Sequence, residues 1–275
     1  MEKFEKHIPV EKDYLAIELL AEHCSLSKSR LKDAMTKGAV WLSSQYSTNR
    51  ASRVRRAKRK VTQGETLHIY FDSKVLDAEI TEPSLIDDCL HYSVWNKPSG
   101  VLSQGSKWGD HCTVTRWAEQ HLTSQRNAFL VHRLDRAASG LILIAHSKQA
   151  AAALSNLFAT RQIKKTYHAV VEGIWSEQSP LLIDQELEGK TATSRVSLLS
   201  TNDSDQTSLV SINIDTGRKH QIRRHLELCG HPIVGDRIYN DSQHHSDLKL
   251  TSVFLSFICP IEQTQKEFQI DSPYR

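Results

Sequence analysis

No apolar run in this chain is long enough to cross a bilayer: stretches such as Val94 to Val101 and Leu141 to Ala145 are strand-sized. The start, Met1 to Val10, is charged and lacks the apolar core of a signal peptide, so neither export nor a membrane partner is expected. Cysteine gives no framework either. Cys24, Cys89, Cys112, Cys229 and Cys259 are scattered, odd in number and without a Cys-x-x-Cys pair, which argues against a disulfide scaffold and a zinc site and fits a reducing cytoplasm. His244-His245, near Asp241 and Asp247, has no complete ligand set around it, so no metal is assigned. Ser139 lacks the Gly-x-Ser-x-Gly elbow of a serine hydrolase.

What is present is an ordinary globular composition, 39% hydrophobic and 24% charged, at a length that holds one large domain or a small module beside a catalytic domain. The charge is unevenly divided. Residues 1–75 carry 15 Lys+Arg against 9 Asp+Glu, while the remainder carries 20 against 23. The excess positive charge thus belongs to the N-terminal part alone, as suits a grip on a polyanion, although a solvated basic face would give the same count.

Helical periodicity runs from Tyr14 to Cys24, with Leu15, Leu19 and Leu20 on a shared side. Ser25-Leu26-Ser27 offers N-cap hydroxyls to a second helix, Ser29 to Lys37, which Gly38 stops. Strands are expected at Ala39 to Ser43 and Thr66 to Phe71, with a turn at Val61 to Glu65 and an exposed basic loop from Gln45 to Lys60. Lys74 to Asp88 reads as a linker. Beyond Leu90 the apolar stretches are mostly strand-like, with helices at Thr113 to Leu122, Ser147 to Ala159 and Lys219 to Leu228.

The order of the first elements, with Ser27-Lys28-Ser29-Arg30 at a helix start and Lys37-Gly38-Ala39-Val40 at its end, resembles an S4 RNA-binding domain over roughly residues 10–72. Ser43-Ser44-Gln45 stands where that family usually has an Asn-Gly turn, and seven Lys/Arg between Arg50 and Lys60 extend the loop. The resemblance implies RNA contacts from Lys28, Arg30, Lys32 and Lys37, which start and end one short helix, and from Arg53, Arg55 and Arg56. A small helical cap on the catalytic region is the alternative.

The most informative segment is Val131-His132-Arg133-Leu134-Asp135-Arg136-Ala137-Ala138-Ser139-Gly140-Leu141. It places a carboxylate in a loop between a short apolar strand, Phe129 to Val131, and the apolar strand Leu141 to Ala145. Flanking arginines would keep that carboxylate ionised and could also meet phosphate. On composition alone, one Asp between two Arg is more often a salt-bridged loop than a nucleophile.

The segment resembles the His-Arg-Leu-Asp motif of the RluA family of pseudouridine synthases, and three further blocks follow the family order. These are Asn96-Lys97-Pro98-Ser99-Gly100-Val101, then Lys164-Lys165-Thr166-Tyr167, then Gly217-Arg218-Lys219-His220-Gln221-Ile222-Arg223, with Gly230-His231-Pro232-Ile233-Val234-Gly235-Asp236 directly behind. Ala138 and Lys219 each replace a usual Thr, and Leu248 to Phe257 lacks the family's Leu-His-Ala. The resemblance implies an α/β (α+β) fold: a catalytic domain on a mixed, largely antiparallel sheet, plus a small N-terminal S4-like α/β module. The expected division is 1–75 for the module, 76–89 for a linker and 90–275 for the catalytic domain.

By the same resemblance, Asp135 is the nucleophile, Arg223 pairs with it, and Tyr167 stacks on the uracil, its hydroxyl assisting removal of the C5 proton. Arg133 braces the space a flipped uridine leaves, and Arg136 adds a phosphate contact. His132 and His220 are expected to be structural, and Gly140 to permit a tight loop exit. The implied reaction breaks N1–C1′ and joins C5 to C1′ with no redox change, so no cofactor and no metal is called for. The expected partner is RNA, ribosomal first and transfer RNA second, met by a cytoplasmic monomer. Two rival readings remain: a non-catalytic RNA-binding or ribosome-assembly factor on the same scaffold, and a small-substrate hydrolase.

Overall fold

Two units emerge in the computed structural model, which describes residues 2–44, 51–177, 179–240 and 246–274. One comprises Met1–Ile80 with Gln104–Trp117, and the other Thr81–Ser103 with Ala118–Arg275.

In the first unit, alternation builds an antiparallel sheet and helical spacing covers one face of it. Its elements are β1 (Lys3–Pro9), β2 (Tyr14–Leu15), α1 (Ala16–His23), α2 (Lys28–Thr36), β3 (Val40–Ser44), β4 (Ser52–Arg53), β5 (Lys60–Val61), β6 (Glu65–Asp72) and α3 (Ser73–Leu76). The sheet order is β1-β6-β3-β4, and β2 pairs separately with β5. Ser27 caps α2, its hydroxyl accepting from the Arg30 amide at 3.3 Å. Gly38 at φ +84 closes the helix, with Ala39 N–H on Ala34 O at 2.9 Å and Gly38 N–H on Met35 O at 3.0 Å. Leu19, Leu20, Leu31 and Met35 pack on Val40, Leu42, Leu67, Ile69 and Phe71.

Two features differ from expectation. Leu15 belongs to β2 and is 37% exposed; Ala16 and Ile17 join Leu19 and Leu20 in the core instead. Strand β1 was not anticipated, because Lys3, Glu5 and His7 alternate with residues of which only Ile8 is fully buried. A charged edge strand mutes the periodic signal. Residues 45–50 of the basic loop, Arg50 among them, lie outside the described residues, as does His244-His245.

The second unit holds β7 (Ser84–Asp88), β8 (Tyr92–Lys97), β9 (Phe129–Leu130), β10 (Ser139–Ala145), α5 (Lys148–Ala159), β11 (Lys164–Glu172), β12 (Leu181–Asp184), β13 (Thr193–Asn202), β14 (Thr207–Ile214), α6 (Gln221–Leu228), β15 (Leu250–Ile258) and β16 (Gln265–Gln269). Helix α4 (Val114–His121) spans the boundary between the units. Strands run β12-β13-β14-β11-β15-β10-β8-β7, with β16 on β15 and β9 on β10. Among the described residues only β10 and β15 pair in parallel, so the sheet is mixed and largely antiparallel. Leu141 to Ala145 are all fully buried, as expected of a strand covered on both faces. Ser84 to Asp88, read as linker, is an edge strand on β8. Gln104–Trp117, read as part of the catalytic region, groups with the first unit.

Gly140 opens β10 at φ +105, where an added Cβ would stand 2.2 Å from Ser252 O. The glycine therefore permits the close approach of two backbones that starts the parallel pairing, as well as a tight exit from the preceding loop.

Candidate active site

The loop between β9 and β10 carries Asp135, and buried groups beneath it fix its course. Lys97, at the end of β8, is fully buried, and its ammonium donates to Ala138 O at 2.5 Å, Val101 O at 2.9 Å and Pro98 O at 3.0 Å, with Arg136 O at 3.4 Å. Burial pushes Lys97 down to about 7, against the pull of Asp135. Carbonyls on every side nevertheless suit an ammonium, which has three donors and no acceptor. Ser103 adds a second tie: its hydroxyl donates to Leu134 O at 2.7 Å and lies 3.1 Å from the Leu134 amide.

Helix α6 brings the partners of Asp135. Arg223 reaches Asp135 Oδ2 from NH1 at 3.4 Å, while its Nε and NH2 grip Asp236 at 2.6 and 2.7 Å. Asp236 is itself buried and accepts from the Ile238 and Tyr239 amides at 2.9 and 3.1 Å. Burial alone would raise the Asp236 carboxyl; Arg223 and those amides outweigh it and hold it below the usual range. Tyr239 lies with its ring under the Arg223 guanidinium, 5.1 Å away, and its hydroxyl 3.0 Å from His220 Nδ1. His220, left-handed at φ 54, sets its Nε2 3.8 Å from Asp135 Oδ1. Burial depresses its pKa despite Asp135, which favours the neutral imidazole.

Tyr167, in the middle of β11, shares a pocket of about 90 Å³ with Asp135, Arg133, His220 and Arg223. It is 8% exposed, and burial, with the Asp135 charge adding, pushes its phenol up to about 12. The phenol is therefore neutral at physiological pH. It can stack or donate a hydrogen bond, but it holds no resting phenolate to take a proton. His132 is no base either. Its Nε2 accepts the Leu143 amide at 2.9 Å, its ring stacks on Phe158 at 4.3 Å, and desolvation pushes it down to about 3. One carboxylate, shared between a buried arginine and an imidazole beside a buried phenol, is an arrangement for nucleophilic chemistry on a planar ligand.

A family model described as RNA pseudouridylate synthase matches residues 91–228. The chain belongs to the RNA pseudouridylate synthase family. It is an enzyme that isomerises uridine to pseudouridine in RNA. Among curated synthases, tRNA pseudouridine synthase C of Vibrio cholerae is 35% identical over 176 residues, which is 54% of this chain and 71% of that one. Ribosomal large subunit pseudouridine synthase D of Zymomonas mobilis is 26% identical over 289 residues, 90% of this chain and 86% of that one. The solved structure of human RNA pseudouridylate synthase domain containing 4 shares the fold, with TM-score 0.58, 21% identity, and coverage of 70% of this chain and 89% of that one.

In this pseudouridylate synthase the expected catalytic trio, Asp135, Tyr167 and Arg223, lines one pocket. The flanking arginines do not act on Asp135 as expected. Arg136 turns its Nε to Gly100 O at 3.2 Å, and Arg133 is exposed at the pocket wall. The salt-bridge role belongs to Arg223 instead. His220 is not merely structural, since it faces Asp135. Asp236 and Tyr239 were missed as site residues; the only sequence signal was that the Gly230 to Asp236 block directly follows the Arg223 block.

The basic residues expected to meet RNA separate into two groups within the first unit. Lys28 pairs with Glu18 at 2.6 Å, Arg30 with Asp77 at 2.6 Å, and Lys37 with Asp33 at 3.0 Å and Leu76 O at 2.7 Å. Arg55 forks onto Asp110, while Arg53 reaches Gly38 O at 2.9 Å, Asp110 at 3.3 Å and the Trp41 ring at 4.1 Å. Lys32 and Arg56 remain exposed. Surface pairs of this kind contribute about 0–1 kcal/mol each, so Lys28 and Arg30 can exchange their carboxylates for phosphate at little cost. No helix of the described residues is long and apolar enough to cross a membrane, and no group of three or more His, Cys, Asp or Glu among them could hold a metal ion. None of the five cysteines is in a disulfide.

Proposed function

We propose that the enzyme modifies uridine in large-subunit ribosomal RNA, with Asp135 as nucleophile. Arg223 pairs with Asp135 and orients it, Tyr167 provides the surface on which uracil stacks, and Arg133 braces the vacated stack. The observation that carries the nucleophile is the Arg223 bridge, which links Asp135 to a second, fully buried carboxylate at Asp236. The chemistry then asks for a carboxylate nucleophile and a flat aromatic surface beside it, and Asp135 and Tyr167 line one pocket.

The ribosomal target is supported by the extent of similarity. The large-subunit synthase D aligns over 90% of this chain, so its match includes the basic first unit, whereas the tRNA synthase C aligns over 54%. The higher identity of the latter, 35% against 26%, favours transfer RNA as the second reading. The first unit serves as an S4-like RNA-binding module, with Lys32, Arg56 and the exchangeable pairs of Lys28 and Arg30 facing phosphate, and the enzyme works as a cytoplasmic monomer.

Pseudouridine mapping across all cellular RNA, with and without the gene, tests the target: sites lost only from transfer RNA refute the ribosomal assignment. Asp135→Ala, assayed on the mapped RNA, is expected to lose all product, and equal product from wild type and variant refutes the nucleophile.

A further inference from the structure

A second cavity adjoins the Asp135 pocket, and the isomerisation itself leaves it without a role. It measures about 520 Å³, and Arg133, Tyr167 and Arg218 line both spaces. That volume falls in the range of small-molecule sites. One wall is aromatic, formed by Phe158 with the His132 ring stacked against it. The other is cationic, formed by Lys165 and Arg161.

Lys165 is 8% exposed. Among the described residues its ammonium has neither a hydrogen-bond partner nor a carboxylate within ion-pair distance; Asp215 lies farther off on the same cavity. Burial lowers its pKa against the attraction of Asp215. A largely buried ammonium is costly to keep charged, and Asp215, beyond ion-pair distance, offsets only part of that cost. In β11, Lys165 stands two residues before Tyr167 on the same face, roughly 7 Å along the strand.

Arg161 supplies an independent observation. It occupies the position after the C-cap of α5 at φ 60, with Gln162 N–H on Leu157 O at 2.9 Å and its own N–H on Phe158 O at 3.3 Å. Glycine is the usual residue in that motif, because a side chain there strains the backbone. Here a long cationic side chain takes the place and lines the cavity.

We propose that this cavity is a nucleotide subsite for the substrate RNA, in which a phosphodiester adjacent to the target uridine sits on Lys165 and Arg161 and the attached base lies over Phe158. The inference rests on the chain being an RNA pseudouridylate synthase. It assigns to Lys165 and Arg161 the threading of the strand out of the Asp135 pocket.

The test uses fluorescently labelled pentauridylate, its analogue with neutral methylphosphonate linkages, and the full-length enzyme. Binding is followed by anisotropy across a salt series for wild type, Lys165→Met and Arg161→Gly. Each variant is expected to bind pentauridylate several-fold more weakly at low salt. Each should also lose about 0.7 from the slope of log K against log salt, the value for one phosphate contact on a single strand. On the neutral analogue, wild type and variants should bind alike. Unchanged slopes, equal weakening on the neutral analogue, or failure of wild type to bind pentauridylate at low salt would each overturn the subsite. Both variants relieve an unfavourable feature, a buried charge or a strained backbone, so their urea midpoints should equal or exceed that of wild type. Pseudouridine formation by wild type in total cellular RNA is scored separately. Its absence would overturn the family activity whatever the slopes show.

Discussion

Replacing Lys97 by methionine separates the stability of the fold from the placement of Asp135. The substitution keeps the length of the side chain and removes its charge and donors. Below pH 7 Lys97 is charged in the folded and the unfolded chain, so the variant gains the relief of a buried charge. A shift from 10.5 to about 7 sets that relief at roughly 5 kcal/mol. Against it stand the carbonyls of Ala138, Val101 and Pro98, which lose their donor. Each buried acceptor left unsatisfied costs about 1–3 kcal/mol, so the two effects nearly cancel.

Stability at pH 6 should therefore change by no more than about 4 kcal/mol in urea unfolding. Between pH 7 and 10.5 the unfolded wild type binds a proton that the folded form lacks, so wild-type stability rises with pH while the variant stays flat. Activity should respond otherwise. The lost ties are those that hold the Asp135 loop, and a displacement of about 1 Å can cost about 10²-fold in rate. Single-turnover pseudouridine formation should fall by that order, with KM for RNA little changed. A kcat within threefold of wild type would refute the role given to Lys97.

Three other perturbations follow from the same geometry. His132 has its folded pKa near 3 and its unfolded value near 6.5; the unfolded chain alone binds a proton in that window, so stability should fall as pH drops from 6.5 toward 3. In His132→Gln, urea midpoints over that range should decline less steeply than in wild type. Tyr239→Phe removes the hydroxyl that meets His220 but keeps the ring under Arg223. One lost hydrogen bond, about 0.5–1.5 kcal/mol, should lower kcat up to about tenfold and leave KM unchanged. Gly140→Ala sets a Cβ against the Ser252 carbonyl, where only backbone could give way; the urea midpoint should drop by an equivalent of about 3 kcal/mol or more.

The parts of the molecule that were legible in its sequence are those where a local pattern and the tertiary outcome agree. Ser27 and Gly38 bracket α2 as caps because their chemistry acts on neighbouring amides and carbonyls. The apolar run from Leu141 to Ala145 is a strand covered on both faces. Asp135 and Arg223 meet although 88 positions separate them, and only the ordered family blocks made that pairing foreseeable. What escaped depends on long-range placement. A lysine buried among carbonyls is indistinguishable in sequence from an exposed one, and so Lys97, although part of a family block, was given no role. Asp110 draws in Arg53 and Arg55 from a segment far along the chain, which turned two expected phosphate contacts into internal pairs. Tyr239 carries no signal of its own, because its position under Arg223 depends on the turn that Asp236 anchors.

Sharing Arg223 between two carboxylates has a kinetic meaning. In the role proposed for Asp135, whether it attacks C1′ or removes a sugar proton, it gives up its negative charge partway through the turnover, as an ester or as an acid. An arginine 4% exposed and left alone at that moment would be an orphaned buried cation, a condition that costs about 3–5 kcal/mol. Asp236 keeps the guanidinium neutralised throughout, so the intermediate forms without that penalty and Arg223 stays in register to receive Asp135 when the charge returns. The second carboxylate acts as a standing counterion, and the enzyme can discharge and recharge its nucleophile without rebuilding the site around it.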